Sequence, residues 1–74
     1  MTTFEIRHAL LQMLGNDTTA YEIANGFVTD DENKLAVFRD AFNEPTNSVG
    51  GFQERASTAT DKATKRWDIV GKDL

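Results

Sequence analysis

The stretch FQERASTATDKATKRWDIV, residues 52–70, decides how this chain is read. Phe52, Ala56, Ala59, Ala63 and Trp67 recur at spacings of 4, 3, 4 and 4, which puts five side chains on one face of an α-helix. The middle of the stripe is alanine and its ends are large aromatics. Three methyl groups bury too little apolar surface to make a core, yet they let another backbone come close. The pattern predicts a docking helix anchored by Phe52 and Trp67. Ser57, Thr58, Thr60 and Thr64 lower its intrinsic helix propensity. Such a helix is stabilised by whatever it packs on, either the rest of the chain or a neighbour.

Working backwards, residues 43–51 read Asn43-Glu44-Pro45-Thr46-Asn47-Ser48-Val49-Gly50-Gly51. Proline, paired glycines and small polar residues predict a connection without regular structure. The composition changes across it. Residues 1–43 hold 20 of the 29 apolar residues, with seven acids against three bases; residues 44–74 hold nine apolar residues, with five acids and five bases. We therefore expect a mostly α protein, a single domain overall. Residues 1–43 form a small three-helix body, 44–51 a linker, and 52–74 a C-terminal alanine-striped helix or arm.

Within the body, Thr2 or Thr3 is positioned to cap a first helix over Phe4–Leu14, with Gly15 at its C-terminal end. Ile6, Ala9, Leu10, Met13 and Leu14 share a face. Phe4 and Leu11 widen it beyond what one neighbour covers, which predicts cover on two sides. Leu10 is the expected core residue, and Phe4 and Leu11 are expected at an interface. A second, short helix is expected from Thr18 or Thr19 to Gly26, capped by Asp17, Thr18 or Thr19; an extended run over Ala20–Val28 is the alternative. A third begins at a Thr29 or Asp30 cap, carries Leu35, Val37, Phe38, Ala41 and Phe42 on one side, and stops before Pro45.

At 74 residues and net charge −4, the chain buries only about 60% of its unfolded surface and is marginal on its own. Small scaffolds usually add disulfides, a metal or a partner. There is no cysteine and one histidine, which removes disulfides and thiolate metal sites and leaves no imidazole-rich zinc site. Self-association or a protein partner is the remaining supplement. The N-terminus is interrupted by Glu5, Arg7 and His8, unlike a signal peptide. No run approaches the ~20 apolar residues of a membrane span. A soluble protein is expected, cytoplasmic or held within a macromolecular assembly.

Candidate chemical sites are sparse. His8 lies near Glu5 and Gln12, but no serine or cysteine is placed beside it as a nucleophile. Asp30, Asp31 and Glu32 lack the ligand alternation and closing glutamate of a calcium loop, and they suit a helix N-terminus. The same acids, with Asp17, Glu22, Asp40 and Glu44, suggest an acidic face that imitates nucleic-acid phosphates. Lys62, Lys65, Arg66 and Lys72 make a small basic patch diluted by Asp61 and Asp68. Gly50-Gly51 is too sparse to cradle phosphate. Ala9–Leu14 followed by Tyr21-Glu22-Ile23-Ala24 resembles the first two helices of winged-helix repressors. That resemblance implies a recognition helix next, yet the next helix opens on three acids that repel phosphate. No family is assigned from it.

The reading that results is a small structural or accessory subunit that binds other protein chains, a design suited to a virion or complex-cementing role. Its interface residues are Phe4, Leu11, Phe52, Ala56, Ala59, Ala63 and Trp67. The partner is another protein or further copies of itself, with no membrane, small-molecule substrate, cofactor, metal or catalytic residue, and with nucleic acid disfavoured. The alternative is a small acidic inhibitor of a partner enzyme or nucleic-acid-binding protein, and the third is a DNA-binding regulator.

Overall fold

The computed structural model describes residues 2–45 and 50–69, and in them the chain is all-α. Four helices follow one another: α1 (Thr3–Leu14), α2 (Thr18–Val28), α3 (Glu32–Phe42) and α4 (Phe52–Ile69). Residues 46–49 of the expected linker, and Val70 and Lys72 beyond α4, lie outside the described residues.

Each of the first three helices begins where a short polar side chain satisfies the free N–H groups of the first turn. Thr2 Oγ1 accepts from the Glu5 N–H at 3.1 Å, and Asp17 Oδ1 from the Ala20 N–H at 2.9 Å. Asp31 Oδ1 accepts from the N–H groups of Asn33 at 2.9 Å and Lys34 at 3.2 Å. The cap of α3 is therefore Asp31, not Thr29 or Asp30 as expected. Thr29 is occupied in ending α2: it takes φ 44° and donates its N–H to the Asn25 carbonyl. The Asp31 N–H then reaches the Val28 carbonyl, so the tight turn delays the next helix by two residues. Gly15 closes α1 at φ 69°, a left-handed angle that favours glycine. The extended alternative for residues 20–28 is overturned. Ala20, Ala24 and Val28 are buried at a spacing of four, which fits a helix only.

The core gathers Ile6, Leu10 and Leu14 from α1, Ala20, Ala24 and Val28 from α2, and Leu35, Phe38, Ala41 and Phe42 from α3, with Ala56, Ala59 and Ala63 from α4. Phe38, Leu10, Leu14, Leu35 and Val28 are its largest fully buried side chains, each worth about 1.5–3 kcal/mol of burial. The most extensive packing in the molecule is α4 on α3 and α4 on α2. The alanine stripe thus folds back on the chain's own body. Alanines on α2 and α4 allow the two helices to lie close.

That arrangement settles α1 differently from expectation. With α4 taken up by α2 and α3, α1 packs on α3 and α2 and buries Ile6, Leu10 and Leu14. Ala9, Phe4 and Leu11 are left exposed, and the second layer of cover expected for this helix is absent among the described residues.

Candidate functional site

Small side chains bring α4 close but contribute little burial, so its edges carry polar and aromatic contacts. The Arg55 guanidinium lies 4.5 Å from the centre of the Phe42 ring and 5.8 Å from that of Phe52. At the far end the Lys34 ammonium sits 5.6 Å from the Phe27 ring centre and 5.3 Å from that of Trp67, joining α2, α3 and α4. Glu44, just after α3, accepts from Arg66 and lies 3.6 Å from Lys62. The hydrogen bond from Arg66 holds the Glu44 carboxyl below the usual carboxylate range, and the charges of Arg66 and Lys62 add to it.

These contacts locate the expected interface residues. Ala56, Ala59 and Ala63 are covered by the chain itself. Trp67 is half-buried at the end of the seam. Phe52 is 44% exposed and, with Gly50, Gly51 and Arg55, borders a shallow depression at the start of α4. The stripe's centre is core and its anchors are peripheral.

Phe4 and Leu11 stand apart from this. Phe4 is 77% exposed and Leu11 42%. His8 lies between them in the sequence, and its ring stacks on Phe4 with the planes 5° apart and centroids 6.2 Å apart. Positions 4, 8 and 11 recur at i, i+4 and i+7, so the three form one row along the outside of α1. Phe4, Arg7, His8, Leu11 and Tyr21 line a shallow groove between α1 and α2. Arg7 forms part of its lining and is engaged within the chain: Nη1 donates to Asn25 Oδ1 at 2.7 Å and Nη2 to Asp30 Oδ1 at 3.1 Å. Its Nε is buried and has no hydrogen-bond partner among the described residues. Ile69, 75% exposed, is a further uncovered apolar side chain at the end of α4.

The charged residues singled out in the sequence are largely spent on structure. Asp17 and Asp31 cap helices; Asp30 pairs with Arg7, Asp40 with Arg39 at 3.4 Å, and Glu44 with Arg66 and Lys62. Two cations of the small basic patch are thus already matched by a carboxylate. Among the described residues no three His, Asp or Glu side chains converge to hold a metal ion, and no helix is long and apolar enough to cross a membrane. The exposure of Ile69 and the pairing of Arg7 were not readable from spacing, because both depend on how α4 and α2 lie against their neighbours.

The model of one protein family matches residues 1–69, which takes in all four helices. The chain belongs to the DUF2560 family. That family is described as a protein of unknown function. Comparison with curated proteins and comparison with solved structures each find no match.

Proposed function

We propose that this protein is a small, non-enzymatic structural or accessory subunit that works by binding protein chains, soluble in the cytoplasm or within a larger assembly. The observation that carries the reading is the row Phe4–His8–Leu11. A chain of 74 residues has little apolar surface to spare, yet it leaves its α1 phenylalanine 77% exposed beside an exposed leucine. Apolar residues grouped with aromatics on a surface favour a protein contact. Phe52 at the start of α4 offers a second, smaller contact.

The acidic-inhibitor alternative is less well supported. Five of the acids it would use cap helices or pair with cations of the same chain. A DNA-binding role meets the same difficulty in reverse, since Lys62 and Arg66 face Glu44.

The test is site-specific photo-cross-linking in the full chain. A photoreactive leucine analogue replaces Leu11 in one preparation and Lys65, on the outer side of α4, in another. A discrete protein adduct from position 11 and none from position 65 is the expected result. Equal adducts from both positions, or none from either, would remove the α1 face as a binding surface.

A further inference from the structure

We infer that the outer row of α1 is a two-fold interface with a second copy of this chain, the two α1 helices running antiparallel. Phe4 of each copy then packs on Leu11 of the other, and Glu5 of each faces His8 and Gln12 of the other. The inference rests on the protein-binding reading above and names the partner.

Charge selects this occupant and this direction. The outer side of α1 carries one acid, Glu5, and two side chains able to donate, His8 and Gln12, all exposed. Glu5, His8 and Gln12 fall along the same edge of the Phe4–Leu11 row. Arg7 is held by Asn25 and Asp30, so the row itself presents almost no net charge to attract a strongly charged stranger. A parallel two-fold pair brings opposite edges together and would set Glu5 and Gln12 of one copy against Phe4 and Leu11 of the other. An antiparallel pair sets Glu5 against a donor twice over.

The register is also self-consistent. A two-fold axis that joins Phe4 to Leu11 passes midway between positions 7 and 8. One that joins Glu5 to His8 passes midway between 6 and 7, and one that joins Glu5 to Gln12 midway between 8 and 9. With the axis midway between 7 and 8, each Glu5 lies two residues, about 3 Å of helix rise, from the level of the other copy's His8 and of its Gln12, which is within side-chain reach. A single axis therefore satisfies all three contacts. Such an interface is closed, because both copies use the same surface.

Area sets the strength. The chain exposes 4710 Å². A stable specific interface takes about 800 Å² from each partner. The outer side of a 12-residue helix is a strip about 18 Å long and 10 Å wide. The strip is only about a quarter of that, so the dimer is weak and forms toward millimolar concentration.

Sedimentation of the full chain from low micromolar to millimolar concentration tests the inference, with circular dichroism confirming that each variant is folded. Wild type should pass from monomer to dimer and stop there. Leu11→Asp should remain monomeric throughout. Glu5→Lys and His8→Glu should each weaken the dimer by about tenfold, as like or unmatched charges replace a complementary pair. The double variant Glu5→Lys with His8→Glu should dimerise again, because the two-fold axis restores opposite charges across the interface. A wild type that stays monomeric at millimolar concentration overturns the inference. So does a dimer indifferent to Leu11→Asp, or a double variant as weak as the two single ones, which would indicate a parallel pair or another surface. Growth beyond the dimer also overturns it. If position 11 cross-links a different protein while the chain stays monomeric, the protein-binding reading stands and the second copy falls.

Discussion

On α4 the covered side chains are its smallest, Ala56, Ala59 and Ala63, whereas on α1 the bulky Phe4 is 77% exposed, the most among the large apolar residues described. Burial here follows the supply of neighbours, not the apolarity of the residue. α4 lies across α2 and α3 and needs little side-chain volume to fill a narrow gap. α1 sits at the margin, and Ile6, Leu10 and Leu14 occupy the side that meets α2 and α3 among the described residues. The large group buried in one place and the large group exposed in another therefore have different consequences when changed.

The sharpest way to break that comparison is to truncate one phenylalanine from each region. Phe38→Ala empties a fully buried site and should cost about 3–5 kcal/mol, enough to threaten folding of so small a chain. Phe4→Ala removes an equal volume from the surface and should stay within about 0.5 kcal/mol. Urea unfolding at low protein concentration measures both, and similar losses would mean that Phe4 is covered within the monomer.

The seam itself is probed by enlargement. Ala59→Leu inserts volume where α4 meets the core and should cost about 1–3 kcal/mol. Ser57→Leu, exposed on the other side of α4, should be nearly silent in the same thermal melt. Equal effects would show that the two helices are not in close contact at Ala59.

A smaller effect is expected at the entry to α4. A methyl group at Gly50 would overlap the Glu54 side chain, carboxylate and Cβ alike. Gly50→Ala must push Glu54 aside, and Glu54 is the acid of α4's first turn. Losing a carboxylate near a helix N-terminus costs about 0.3–1 kcal/mol, read as a lower melting temperature.

The smallest effect concerns the polar edge. The Glu44 carboxyl titrates lower in the folded chain than in the unfolded one. Its contribution is present above the usual carboxylate range and is lost as pH falls from there through the folded value. Wild type should therefore lose stability more steeply than Glu44→Gln over that acid interval. Because the pair is well exposed, added salt should narrow the difference. Parallel pH profiles would show that this edge contributes nothing to holding α4.

The start of each of the first three helices was visible as a cluster of threonine and aspartate, and at α1 the threonine at the predicted edge is the cap. At α3 the two expected caps, Thr29 and Asp30, both miss by one or two residues. The cap is Asp31 because Thr29 ends the preceding helix with a positive φ, a conformation a β-branched residue seldom adopts and spacing does not announce. Leu10 was identifiable as core from its place between Ile6 and Leu14. The alanine seam announced a close neighbour without naming it. Whether that neighbour was the body or another molecule depended on where a Gly-containing connection would return the chain, and nothing local encodes that. For the same reason the double cover expected of α1 did not follow. Periodicity reports how wide an apolar face is, and the number of helices available to cover it is a property of the whole fold.

The alanine seam also bears on how this chain tolerates mutation over time. Every single-base change in an alanine codon that alters the residue yields glycine, serine, threonine, valine, proline, aspartate or glutamate. At Ala56, Ala59 and Ala63 most of these are too large, charged, or unable to continue a helix. Glycine, which fits, weakens the helix backbone. Serine alone is close in size and costs little to the helix. A position such as Phe4, by contrast, accepts most replacements without harm to folding. Within one short chain these small residues are thus less replaceable by drift than a large exposed one, and the row on α1 is free to change with whatever it binds.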